Sequence, residues 1–143
     1  MVTSKGAIMA ENIDDLVTAA MDAQNPKRLT YVHAEVTEAN FGLARPLRTN
    51  PTVVTLGDLG LTDWNSHQTV VATIDQKHAQ PTMAEVLSYA IHGWDGETAV
   101  WFILESGRIG YLCRGGAHRR LSLSVFGFFY DWYDGNRFLV FCK

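Results

Sequence analysis

The chain has 143 residues, of which 47% are hydrophobic and 19% charged, and its formal net charge is −3. This length suits one domain with a sizeable buried core, and the composition excludes disordered and fibrous classes. A slightly acidic net charge also argues against a general nucleic-acid binder, so we expect nucleic acid to be an unlikely partner.

The charge is distributed unevenly along the chain. Residues 1–105 contain six Lys or Arg against thirteen Asp or Glu, a balance of −7, whereas residues 106–143 contain six against two, a balance of +4. The only cysteines, Cys113 and Cys142, lack CxxC spacing, and the five histidines are scattered. We therefore expect a reduced cysteine pair, no metal site and no cofactor. The absence of an apolar leader or spanning segment predicts a cytoplasmic protein that does not enter a membrane.

The first half of the chain is predicted to hold one helix and three strands. Residues 1–8 read as a disordered lead, and 9–143 as a single domain. An apolar stripe after Asn12 predicts an amphipathic helix that ends before Asn25-Pro26. Alternating or continuous apolar runs then predict strands at Arg28–Val36, Val53–Leu56 and Gln68–Asp75.

A second helix is marked by a capping box. Thr82 is followed three residues later by Glu85, a buried stripe begins at Met83, and Gly93 provides the stop. We expect this helix to pack flat on the same sheet face as the first.

Four antiparallel strands are predicted after this helix. Ser106-Gly107 reads as a two-residue turn that places Leu104 opposite Ile109 and Glu105 opposite Arg108. Near Gly127 the apolar residues switch from odd-numbered to even-numbered positions, and this switch predicts a bulge or bend in the strand. Asp134-Gly135-Asn136 reads as the last turn. The predicted fold is an α+β domain with a curved antiparallel sheet of six or seven strands and two helices on one face.

The loop between the second and third of these strands carries a cluster of cations. Glycines at 115 and 116 leave the backbone open to a ligand, and the flanking side chains could grip a small anion such as a phosphate or carboxylate. These candidate residues are Arg114, His118, Arg119 and Arg120. The alternative is a solvated loop whose arginines pair with the acidic part of the chain.

The last predicted hairpin is unusually aromatic, with eight aromatic residues between Phe126 and Phe141. With a two-residue loop, Trp132 would share a face with Leu139 and Phe141, and Tyr133 would share the other with Phe138. We expect Phe129, Phe138 and Phe141 to be buried and the tip to reach the surface. The candidate interface residues are Tyr130, Trp132, Tyr133 and Arg137.

These patterns favour a non-enzymatic binding protein of accessory or inhibitor type, acting through the aromatic hairpin and the arginine loop on a protein partner or in a homodimer. The alternative is a small-molecule binder or hydrolase-like enzyme with a pocket near His118, Arg119 and Cys113, where a thiol would have a base and positive charge nearby. An apolar pocket lined by Trp101, Phe126, Phe128 and Phe141 is a further possibility.

Overall fold

A computed structural model describes residues 12–43, 46–62, 64–124 and 131–143. The helices in this part are α1 Ile13–Ala20, α2 His67–Lys77 and α3 Met83–His92. The strands are β1 Tyr31–Val32, β2 Thr52–Val54, β3 Asn65–Ser66, β4 His78–Ala79, β5 Val100–Ile103, β6 Ile109–Gly115, β7 His118–Ser124, β8 Asp131–Trp132 and β9 Phe138–Cys142. The predicted lead at 1–8 and the predicted bend at Gly127 lie outside the described residues.

The predicted α+β class is confirmed, with seven strands in the main sheet of the described residues. Their order is β1-β7-β6-β5-β9-β2, and β4 also pairs with β9. The sheet is mixed because β1 runs parallel to β7 and β5 runs parallel to β9, while the other pairs are antiparallel. A separate small sheet joins β3 to β8.

The two helices predicted from the sequence form as expected and share one face. Asn12 caps α1 by accepting from the backbone N–H of Asp15 at 2.8 Å, and Thr82 and Glu85 form the predicted capping box on α3. Both helices pack on the sheet side that carries Phe102, and their shared core includes Leu16, Leu87, Leu112, Leu121 and Leu139.

The predicted strand at Gln68–Asp75 is wrong, because these residues lie in α2. Ser66 caps this helix by accepting from the N–H of Thr69, and His67, Val70 and Ile74 form its buried side. The spacing i, i+3 and i+7 is that of a helix face. This third helix covers the opposite sheet face, where its core partners include Ile103, Ile109, Phe138 and Val140.

The hairpin of β5 and β6 forms, but its predicted register is off by one residue. Ile103 pairs with Ile109, and the Leu104 N–H donates to the Arg108 carbonyl at 2.8 Å. The loop therefore has three residues. The Gly107 N–H donates to the Leu104 carbonyl and closes a turn, and Gly107 itself adopts a φ of +94°. This is the geometry of a turn with a glycine bulge.

The predicted pairing of Glu105 with Arg108 is wrong as well. Glu105 lies near Arg48 at 3.5 Å, and Arg108 pairs with Glu35 at 3.1 Å. Both cysteines are free thiols.

Candidate functional site

A groove of about 400 Å³ lies beside the C-terminal turn, and four of the residues that line it are aromatic. We call it the aromatic groove. Pairing of β3 with β8 sets Asn65 opposite Trp132 and thereby brings Trp64 to the turn that follows β8. The lining residues are Trp64, Ala99, Trp101, Asp131, Trp132, Tyr133, Gly135, Asn136 and Arg137.

The turn at one end of the groove is fixed by local hydrogen bonds. The Asn136 N–H donates to the Tyr133 carbonyl at 2.9 Å, and the Asn136 side-chain oxygen accepts from the Tyr133 N–H at 3.0 Å. A methyl group at Gly135 would lie 2.5 Å from the Tyr133 ring, so glycine is needed for the ring to lie against the turn. This confirms the predicted turn and explains its residues.

Trp64 and Tyr133 form an exposed aromatic pair at the groove. Their exposed fractions are 70% and 46%, and their ring centroids are 5.6 Å apart. Trp64 adopts a φ of +62°, a region that bulky residues rarely occupy. Backbone strain of this kind is concentrated at functional sites, so a strained and exposed tryptophan is a functional signal.

Trp132 lies in the interior, which corrects the expectation that it reaches the surface. It is 1% exposed, and its ring contacts Trp101 at 4.9 Å and Phe138 at 5.0 Å between centroids. The predicted face assignment is also wrong, because Trp132 packs with Phe138 whereas Leu139 belongs to the core on the other side of the sheet. The cause is that β8 pairs with β3 instead of forming a ladder with β9.

The indole of Trp132 is anchored by a buried histidine. Its N–H donates to Nδ1 of His67 at 3.2 Å, so that the proton of the neutral imidazole must lie on Nε2. Burial lowers the pKa of His67. The Trp132 ring at the floor of the aromatic groove is therefore fixed by a hydrogen bond to the neutral imidazole of His67.

The remaining predicted aromatic positions agree with the structure where it describes them. Phe138 and Phe141 are buried, and Tyr133 and Arg137 are exposed as expected. Tyr130, Phe126, Phe128 and Phe129 lie outside the described residues.

Polar groups line the aromatic groove beside the rings. The side chains of Arg137 and Asp131 are exposed and form no ion pair within the described ranges. The Trp64 indole N–H and the Tyr133 hydroxyl likewise have no hydrogen-bond partner in that part of the chain. The groove thus offers flat apolar surfaces together with hydrogen-bond donors and one charge of each sign.

The four residues of the predicted anion site do not converge on one point. In the β6–β7 register, Arg114 pairs with Arg119 and Cys113 pairs with Arg120, which places these pairs on opposite sheet faces. Arg114 binds Glu97 at 2.8 Å, and Arg119 Nε donates to the Gly96 carbonyl at 2.9 Å. Arg114 therefore pairs with a carboxylate of residues 1–105, whereas Arg119 binds a backbone carbonyl in that part of the chain.

The other two residues of that set lie on the same face as Trp101. His118 approaches the Thr30 hydroxyl at 3.4 Å, whereas the Arg120 guanidinium has no ion-pair partner among the described residues. Arg120 and His118 are thus the two members of this set that lie on the sheet face that carries the aromatic groove.

Trp64 is not among the candidate residues predicted from the sequence. The available signal was its setting, since a lone tryptophan between Asp63 and Asn65 has no apolar neighbour in sequence and follows no strand or helix period. Trp101 was predicted to line a pocket and does line this groove, although with different partners.

Within the described residues, no group of three or more His, Cys, Asp or Glu side chains is arranged to hold a metal ion. None of the described helices has the length and apolar character needed to cross a bilayer. Comparisons with protein-family models, curated proteins and solved structures found no match to this chain.

Proposed function

We propose that this chain is a non-enzymatic binding protein that engages a partner protein through the aromatic groove. The observation that carries the proposal is the exposed Trp64–Tyr133 pair in one groove with Arg137, whose guanidinium has no ion-pair partner among the described residues. Tryptophan, tyrosine and arginine are the residues that contribute most binding energy in protein interfaces.

The surroundings of the groove suit binding because they are preorganised. Tyr133 is held by the hydrogen-bonded turn, and Trp132 beneath it is fixed by His67. A rigid aromatic surface loses little side-chain entropy on association, so that more of the contact energy appears as affinity.

The partner can be identified by photocrosslinking in cells of the source organism. A crosslinking amino acid at position 133 is compared with one at position 31, because Tyr31 is also exposed, at 44%, but lies outside the groove. We expect a protein that crosslinks at 133 and not at 31. Equal labelling from both positions, or none from 133, would refute the proposal.

Affinity measurements with the purified partner then test the groove directly. We expect the double variant Trp64→Ala, Tyr133→Ala to bind at least about tenfold more weakly, and Tyr31→Ala to bind as the wild type does. Light scattering on the same proteins decides whether the partner is a second copy. A homodimer would appear as a doubled mass that the double variant loses.

A further inference from the structure

We infer that the aromatic groove takes an extended, proline-rich segment of its partner with one acidic residue beside the prolines. This inference rests on the proposed function and adds the chemistry of the ligand. It is carried by donors that have no hydrogen-bond partner among the described residues, by aromatic faces and by the placement of charge in the groove.

The hydrogen-bonding groups of the groove include unpartnered donors next to aromatic rings. The Trp64 indole N–H and the Tyr133 hydroxyl have no partner among the described residues. A polyproline II segment has no internal hydrogen bonds, and proline keeps its carbonyl while lacking an N–H. Such a segment presents acceptors almost exclusively, which matches donors set between apolar faces.

The aromatic surfaces fit proline rings in the same way. Trp64, Trp101 and Tyr133 provide the partly or fully exposed rings, and the buried Trp132 lies among them. Proline-rich segments dock into aromatic-lined grooves because they are already extended and lose little entropy when they bind. The groove volume of about 400 Å³ lies in the range of specific ligand sites.

Charge in the groove selects the residue that flanks the prolines. The Arg137 guanidinium has no ion-pair partner in the described part of the chain and can bind a carboxylate through two parallel hydrogen bonds. Asp131 lines the same groove and disfavours a second acid near it. These opposite charges give the groove a polarity, so we expect a single acidic residue at the Arg137 side.

Two other ligand classes share part of this chemistry. Single-stranded nucleic acid stacks on aromatic rings, but its affinity depends on several phosphate contacts, and the groove offers one arginine beside a carboxylate. An oligosaccharide would also contact aromatic faces. Both serve as competing outcomes of the test.

The test uses a fluorescein-labelled peptide of ten prolines followed by one glutamate, and fluorescence anisotropy of the full chain. Matched probes carry a lysine in place of the glutamate, or alternating Gly and Ser in place of the prolines. We expect saturable binding of the proline peptide with the glutamate and weaker binding of both matched probes. Equal binding of the Gly-Ser peptide, or no binding of the proline peptide, overturns the inference.

Conservative variants distinguish the contribution of hydrogen-bond donation to peptide binding from that of contact with the aromatic ring. Tyr133→Phe keeps the ring and removes the hydroxyl, and should weaken proline-peptide binding by about two- to tenfold. Arg137→Gln should abolish the preference for glutamate over lysine, and Tyr31→Phe should change nothing. Proline-peptide affinity that is unaffected by Tyr133→Phe contradicts the donor argument.

Competing probes and the photocrosslinking result complete the design. Tighter binding of a twelve-nucleotide oligothymidine or of a linear glucan hexasaccharide than of the proline peptide overturns the ligand class. If the peptides fail while a partner still crosslinks at position 133, the ligand chemistry is wrong and the proposed function stands. If both fail, the proposed function is wrong too.

Discussion

Arg48 and Glu85 form a two-point ion pair that joins the segment before β2 to the first turn of α3. Arg48 Nε donates to Oε2 of Glu85 at 2.8 Å, and Nη2 donates to Oε1 at 2.7 Å. The Glu85 side chain is completely buried, and its Oε1 also accepts from the Thr82 N–H at 2.9 Å. One carboxylate thus caps the helix and anchors the segment.

The charged form of Glu85 is stabilised despite its position in the interior. Burial raises the pKa of this carboxyl, but the hydrogen bonds from Arg48 and Thr82 outweigh burial and hold the pKa below its usual value. Glu85 therefore stays ionised at neutral pH and depends on its partner.

Arg48→Ala should destabilise the fold strongly, because it leaves a buried carboxylate without its counter-ion. We expect a loss of about 3–5 kcal/mol in the free energy of unfolding, measured by urea titration at pH 7. The matched control is Arg108→Ala, which breaks a more exposed pair with Glu35 and should cost about 1 kcal/mol or less. Equal losses in the two variants would contradict the structural role of Arg48.

The stability of the protein should fall as the pH falls below about 6.5, the unperturbed pKa of histidine. Burial lowers the pKa of His67 in the folded state, so the unfolded chain takes up a proton at a higher pH than the folded chain does. The stability that His67 contributes is thus complete above pH 6.5 and decreases between that pH and the lower folded pKa. Protonation of Nδ1 would also remove the acceptor for the Trp132 indole.

Urea titrations at pH 7.5 and 5.5 measure this effect. His67→Asn supplies the control, because an amide oxygen can still accept from the indole but does not titrate. We expect the wild type to lose more stability than the variant over this interval. A pH dependence that is the same in both proteins would show that His67 does not cause it.

Local signals predicted α3 well, and their absence explains the errors elsewhere. The capping box of Thr82 and Glu85 involves residues three apart, so that the sequence contains the whole interaction. In α2, Val70 and Ile74 fit both a strand period with Ala72 and a helix face with His67. The Ser66 cap distinguishes the two, but serine has no acidic partner three residues later to complete a box.

The candidate site depends on which strands pair in the folded chain, and a local sequence pattern contains little information about strand pairing. The turn at Asp134-Gly135-Asn136 was predictable from its residues. That Trp132 is buried and Trp64 exposed follows from β8 pairing with β3, about 65 residues earlier, rather than with β9. Of the candidate interface residues that the structure describes, Tyr133 and Arg137 are exposed as predicted and Trp132 is buried.

Gly110→Ala should destabilise the sheet because the Phe102 ring lies over this glycine. A methyl group at position 110 would lie 2.4 Å from the Phe102 ring and 2.5 Å from the Ser122 carbonyl oxygen, which belongs to the neighbouring strand and cannot move aside alone. We expect a loss of about 1–3 kcal/mol, the usual cost of overpacking, measured by urea titration at pH 7. Gly115→Ala in the same strand is the control, since nothing lies within 4 Å of its added methyl group, and its stability should stay within about 0.5 kcal/mol of the wild type. If both variants unfold at the same urea concentration as the wild type, the close packing of Phe102 on Gly110 is wrong.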